Sequence, residues 1–168
     1  MKTLIQSSIL FFAFILLSAS SSIDENKRFL SFLNNEWQYE LSQSPVYATA
    51  MGVKGYETLW SDNSLKAIES RNLRVTDTLN KLKSFNPSNL TKANQLNLRL
   101  FTQLAKNDFE SAKYNRHLFP FNQRGGVQLA HEDVESLPLK ILEDYQFWLE
   151  RLKNLDKRIE QTILLAKL

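Results

Sequence analysis

An all-α fold is what this sequence predicts, with five or six helices and one irregular loop or short hairpin near residues 117–135. Three observations carry that expectation. Apolar residues recur at steps of three and four over most of the chain after Ile23, a period that gathers them on one helical face. Helix-opening residues stand ahead of these runs: Ser44-Pro45, Ser64, Thr91, and Ser136 with Pro138. Only 4 Gly and 4 Pro occur in 168 residues, too few for a turn-rich sandwich of strands.

Residues 1–20 read as a secretory signal peptide rather than as part of the fold. Met1-Lys2 gives a positive start, and Leu4 to Leu17 is an apolar run broken only by Gln6, Ser7 and Ser8. Ser18-Ala19-Ser20 supplies the small residues of a cleavage site, with cleavage expected after Ser20 and Ala19 or Ser22 as neighbouring alternatives. The run is short for a spanning helix, which needs about 20 apolar residues, although an uncleaved anchor is the alternative. No Cys follows it, so a lipid-bearing cysteine is excluded. The expected product is soluble, without a stable membrane anchor, and secreted or periplasmic.

A first helix is expected over residues 24–42, with Leu30, Leu33, Trp37 and Leu41 on its buried face and Asp24 and Glu25 in its first turn. Ser44-Pro45 opens a short helix that ends near Gly52. A loop to Ser61 follows. Ser64 caps a third helix with Leu65, Ile68, Val75, Leu79 and Leu82 buried, and Asn86-Pro87 ends it. Thr91 caps a fourth, running to about Arg116, whose stripe is Ala93, Leu96, Leu100 and Leu104 with Phe101 and Ala105 beside it. From His117 to Glu135 the period breaks; Phe119, Phe121, Val127 and Leu129 alternate around the Gly125-Gly126 pair. Ser136 and Pro138 open a fifth helix carrying Leu142, Tyr145, Leu149 and Leu152, with Trp148 adjacent. Asn154-Leu155-Asp156 interrupts it, and a last helix runs into Ile163–Leu168 with no Gly, Asn or Pro after it. Residues 21–168 are therefore expected to be the N-terminal part of a larger helical domain whose C-terminal region would be a partner in the same chain.

Composition removes several function classes. The chain is 43% hydrophobic and 23% charged, which excludes an intrinsically disordered polypeptide. With no Cys there is no disulfide framework and no thiolate metal site. His117 and His131 are the only histidines. His131-Glu132 lacks the second His one turn later that a zinc helix needs, Glu135 standing there instead. No catalytic residue, metal ligand or cofactor is therefore expected in residues 1–168. The net charge is only +3, and the basic run Lys66 to Lys83 carries no interleaved aromatics, so no nucleic-acid partner is expected.

Asn122-Gln123-Arg124-Gly125-Gly126 is the most unusual run. A guanidinium can grip a carboxylate through its planar fork, and glycines let backbone N–H groups approach a ligand. These five residues are the candidate substrate-binding turn, anchored by Phe119, Phe121 and Val127, with Arg124 facing an anionic group such as a peptide's terminal carboxylate. The alternative is a turn that needs positive φ, with Arg124 paired to Glu132 or Asp133. Glu36 and Glu40, one turn apart, are expected to be a solvated edge beside a buried Trp37 rather than an acid–base pair.

The run Phe32-Leu33-Asn34-Asn35-Glu36-Trp37-Gln38-Tyr39-Glu40-Leu41, then Ser44-Pro45-Val46-Tyr47-Ala48-Thr49, resembles the start of the domain-of-unknown-function 885 family. Leu118 to Gln128, with the Asn-Gln-Arg-Gly-Gly run inside it, resembles the same family, and so does Leu137-Pro138-Leu139 with Tyr145, Trp148, Leu149, Arg151-Leu152 and Gln161-Thr162-Ile163. The resemblance covers residues 28–168 and implies a much longer, mostly helical, secreted or lipid-anchored protein. It implies a C-terminal His-Glu-x-x-Pro-Gly-His helix like that of zinc peptidases, and hence a hydrolase of carboxypeptidase type acting on a peptide substrate. That motif is absent from residues 1–168, so no catalytic or zinc residue carries over, and zinc is expected only in the full-length protein. Three readings follow: the N-terminal helical wall of a secreted zinc peptidase, a helical binding or scaffold module without chemistry, and a signal-anchored helical protein at a membrane face.

Overall fold

The computed structural model describes residues 24–123 and 125–168. The signal peptide expected over 1–20 lies outside them. Helix α1 covers 24–43 and is followed by α2 (Pro45–Ala50), α3 (Leu65–Lys83), α4 (Lys92–Ala112), α5 (Leu142–Lys153) and α6 (Leu155–Ala166). The described residues contain no strand, and the fold is all-α. None of their helices is long and apolar enough to cross a membrane.

The caps explain where two long helices begin. The Ser64 hydroxyl accepts from Ala67 N at 3.3 Å, and that of Thr91 accepts from Asn94 N at 3.2 Å. Ser44 does not cap α2; its hydroxyl donates to Glu40 instead, and Pro45 supplies the preset φ of the first turn. The fifth helix starts later than Ser136 and Pro138 suggested. Ser136 closes a 3₁₀ turn, Asp133–Ser136, and α5 opens at Leu142. Ile141 has no oxygen to cap with, so the Asp144 carboxylate reaches back to Lys140 N at 2.8 Å and Ile141 N at 3.1 Å. Helix α4 stops at Ala112, short of Arg116, and a left-handed Asn115 starts a 3₁₀ turn, Arg116–Leu118. Of the irregular loop or short hairpin expected near 117–135, the structure has the irregular loop, with one bridge, Asn122 to Gly125, among 3₁₀ turns.

The core is the junction of α1, α3 and α4. Phe29 and Phe32 pack on Leu82, Phe85, Leu90, Leu98 and Ala105, with Leu33, Leu79 and Phe101 at the margin. Phe29 meets Phe85 edge-on at 5.1 Å and Phe32 meets Phe101 edge-on at 5.9 Å. Asn26 ties the start of α1 to the start of α4 by donating to Asn89 O and accepting from Thr91 N and Asn94 Nδ2.

The buried phase differs from the expected one in three helices. On α1 the Phe29–Phe32 side is inside; of the expected face Leu41 is buried and Leu33 packs at the core's margin, while Leu30 and Trp37 are exposed. On α4 the buried line is Asn94, Leu98 and Ala105, and Ala93, Leu96, Leu100 and Leu104 face out. On α5 the inner residues are Phe147, Trp148 and Arg151, and Leu142, Tyr145, Leu149 and Leu152 face out. The cause is the same each time. These helices are apolar around more than half their circumference, and the face that brings aromatic rings or close backbone contact is the one covered.

Candidate functional site

The turn singled out by sequence is held by its own backbone. Asn122 N donates to Gly125 O at 3.1 Å, and the Gln128 side-chain amide donates to Asn122 O at 3.0 Å and Gly125 O at 3.1 Å. Gln128, not weighed as a site residue, therefore clamps both ends of the turn. Gly126 has φ +130°, and a Cβ there would lie 2.8 Å from Pro120 O and against the Gln128 side chain. Gly125 has no such constraint; its Cβ would meet only the Asn122 side chain, at 3.4 Å. Asn122 and Gln123 are exposed, and Gly125 and Gly126 are half-buried. Arg124 lies outside the described residues. The expected aromatic anchors are absent: Phe119 is 76% exposed and Phe121 50%. Of the two acids considered as partners for Arg124, Asp133 is bound by Arg158 Nη1 at 3.2 Å.

Glu36 is not a solvated edge. It accepts from Arg74 at 2.8 Å and from the Thr78 hydroxyl at 3.0 Å, and the Arg74 guanidinium lies 3.9 Å over the Tyr39 ring. This cluster lines an open groove of ≈ 530 Å³ between α1, α3 and α4, whose apolar walls include Leu33, Trp37, Val75, Phe101 and Leu104. Trp37 is half-exposed at its edge, T-shaped to Tyr47. A volume of this size, with apolar walls and the charged groups Glu36, Glu40, Arg71, Arg74 and Asp108 along it, matches small-molecule and peptide clefts.

A second constellation was missed by sequence reasoning. Arg151, on the inner face of α5, has no exposed surface. Its Nη2 donates to the Thr49 hydroxyl at 2.7 Å and to Tyr56 O at 2.6 Å, and its Nε and Nη1 have no protein partner. Thr49 in turn donates to Pro45 O, so the arginine fastens α2 and the following loop beneath α5. Trp60 covers it at 5.7 Å, donates its indole N–H to Arg151 O, and carries Arg158 over the ring at 4.5 Å. Burial draws the Arg151 pKa down to about 10, while Asp133 and Glu57 pull it back up. It stays charged at neutral pH. The sequence signal was available: Asp144, Phe147, Trp148 and Arg151 share one helical face.

Residues 45–167 match the family model described as bacterial protein of unknown function (DUF885). The chain belongs to the DUF885 family. No curated protein and no solved structure matches it. The DUF885 match contains the Arg151 hub and the 122–126 turn, whereas the α1 residues of the groove, Leu33 to Glu40, precede it. Among the described residues of this DUF885 chain, no three or more His, Cys, Asp or Glu are grouped to hold a metal ion. His131 is exposed, with Nδ1 3.2 Å from Gln128 O and Nε2 4.0 Å from Glu132. These residues do not fit a zinc centre.

Proposed function

We propose that this chain is the N-terminal, non-catalytic helical part of a secreted, carboxypeptidase-like zinc peptidase, in which it forms walls of the substrate cleft. The observation that carries the reading is the breadth of uncovered apolar surface. Leu96, Leu100 and Leu104 form one row on α4, and Leu142, Tyr145, Leu149 and Leu152 form another on α5. Single exposed leucines are ordinary, but rows on two helices mark surfaces built to be covered. Membership of the DUF885 family and the resemblance of residues 28–168 supply the peptidase part of the reading. The zinc ligands would lie in a His-Glu-x-x-Pro-Gly-His helix of a C-terminal region, and no step of hydrolysis falls to the residues described. The Asn122–Gly126 turn would meet the peptide, with Arg124 recognising its terminal carboxylate. A clamped, exposed turn supports that role.

The second reading is a helical binding module without chemistry. The ≈ 530 Å³ groove favours it, since it is large enough for a ligand by itself.

One experiment separates them. An antibody raised against the described segment is used to isolate the native product from the producing cells and their medium. The peptidase reading expects an exported species several times larger than 19.5 kDa, with peptide-cleaving activity lost on chelation and restored by zinc. A species of 19.5 kDa or less as the sole product, without activity, overturns it and leaves the binding module.

A further inference from the structure

The charges along the groove between α1, α3 and α4 do not all cancel within it. Glu36 and Arg74 neutralise each other. Glu40, Arg71 and Asp108 have no ion pair among the described residues. Glu40, which is exposed, accepts only the Ser44 hydroxyl. Asp108, also exposed, has no hydrogen-bond partner among those residues. Arg71 donates through Nη1 to Gln43 Oε1 at 3.3 Å and to Asp62 O at 2.8 Å, both neutral acceptors, and its Nε and Nη2 make no bond to the described residues. Those two bonds fix the direction of the guanidinium without consuming its charge.

Helix register sets the three charges at one level. Asn26 bonds Asn94 and Phe32 meets Phe101, so α1 and α4 run side by side in the same direction. The 68-residue offset of the asparagine pair also carries Glu40 to Asp108. Helix α3 runs the opposite way: Arg74 bonds Glu36, and Arg71, nearly one turn earlier, reaches Gln43 at the end of α1. One unpaired charge from each wall thus stands at the end of the groove where α1 and α4 finish and α3 begins, beside the apolar Val75, Phe101 and Leu104.

We propose that the groove binds a short apolar peptide with both ends free, its ammonium group on the Glu40 and Asp108 carboxylates and its terminal carboxylate on Arg71. The charge set argues against simpler ligands. A neutral apolar ligand would desolvate three unpaired charges. A cation alone leaves Arg71 facing it, and an anion alone meets two carboxylates. A zwitterion answers all three, and its carboxylate can take two parallel N–H bonds from Nε and Nη2. A volume of ≈ 530 Å³ lies in the range of drug-sized ligands, which two or three residues match and a single amino acid underfills. The proposal rests on the groove being a ligand cleft, as the binding-module reading has it, and the site is separate from the Asn122–Gly126 turn.

The test is titration calorimetry of the full chain at about pH 6.5, where an α-amino group is still charged. The probes are the dipeptide leucyl-phenylalanine, its N-acetyl form, its C-terminal amide, and free phenylalanine. The free dipeptide is expected to bind at least about tenfold more tightly than either capped form, each having lost a charged contact. Asp108→Asn and Glu40→Gln, at exposed positions, should each narrow the gap between the free and acetylated peptides. Arg71→Gln should narrow the gap between the free peptide and the amide; circular dichroism checks its fold, and the two carboxylate variants decide the matter if that fold is lost. Equal affinities of free and capped peptides overturn the proposal while leaving the groove a cleft for some other ligand. Free phenylalanine binding as tightly as the dipeptide overturns it in favour of a single amino acid. Preferences that survive the substitutions, or no binding at all, overturn it as well. The binding-module reading falls separately, on isolation of the larger zinc-dependent species.

Discussion

Arg151 shows how a charge can be kept inside a protein without a carboxylate bonded to it. One nitrogen bonds a hydroxyl and a carbonyl oxygen, the guanidinium carbon lies 5.7 Å from the Trp60 ring, and two nitrogens remain without a protein acceptor. A buried charge so placed costs stability, and replacing such groups with apolar ones of similar size is often neutral or stabilising. Arg151→Met is therefore expected to lower the unfolding free energy less than Arg151→Lys. Lysine keeps the buried charge, desolvates it more severely, and ends one bond short of the position from which Nη2 reaches both acceptors; losing charged hydrogen bonds costs about 1.5–3 kcal/mol each. Urea titrations of the two variants decide it, and a methionine variant weaker than the lysine variant would show that the bonds outweigh the burial. The turn at 122–126 gives a second contrast. Gly126→Ala should destabilise by about 1–3 kcal/mol, because φ +130° is a glycine conformation and Pro120 O blocks a Cβ. Gly125→Ala should melt close to wild type, having only the movable Asn122 side chain in its way. Equal losses in a thermal melt would mean that Gly126 is not the constrained position.

Helix beginnings were legible wherever the cap is local. Ser64 and Thr91 each satisfy a backbone N–H three residues on, and nothing distant is needed to see it. The start of α5 was not legible, since its cap is a carboxylate inside the helix reaching backwards over Ile141. That arrangement has a consequence in acid. The backbone N–H groups of Lys140 and Ile141 hold the Asp144 carboxyl below its usual value. Its contribution is thus present above the unfolded pKa and lost as pH falls through the lower, folded one. Glu25 behaves alike, held down by the Arg28 side chain and by Asn86 N. Stability should therefore decline as pH falls through and below the ordinary carboxylate range, and Asp144→Asn and Glu25→Gln should each flatten that decline. Chemical denaturation across this range would refute it if the variants kept the wild-type slope. Helix phase was the least legible property. On α4 the leucines form the stronger-looking stripe, yet Leu98, Phe101 and Ala105 turn inward because they face the phenylalanines of α1.

Taken whole, the molecule has an aromatic core on one side and leucine-lined helices open to solvent elsewhere. Substitutions should divide accordingly. Phe29→Ala empties a fully buried site and should cost about 3–5 kcal/mol. Leu149→Glu, at a position more than half exposed, should leave the melting temperature nearly unchanged while reducing the binding of a hydrophobic dye. A large loss of stability at Leu149 would place that residue in a core. The candidate turn was legible as a turn, from its glycines and amides, but its fastening by Gln128 was not. A long side chain that folds back over three to six residues leaves no periodic mark. The groove was hidden for another reason: it exists only once three helices with separate patterns are set side by side.

Tryptophan placement gives the protein two independent optical reporters. Trp60 and Trp148 lie 6.0 Å apart, nearly edge to face, at the seam where the loop after α2 meets α5, with two guanidinium groups against the Trp60 ring. Rings so close couple their electronic transitions and should give an exciton signal in circular dichroism. The phenylalanine core of α1, α3 and α4 contains no indole, and Trp37 sits at its edge, half in solvent. The exciton signal thus follows the seam, whereas emission also includes Trp37 and the helical amide signal follows both parts. A melt in which the exciton signal fades before the helicity would reveal that the seam opens first, and coincident curves would mean that the two parts unfold as one cooperative unit.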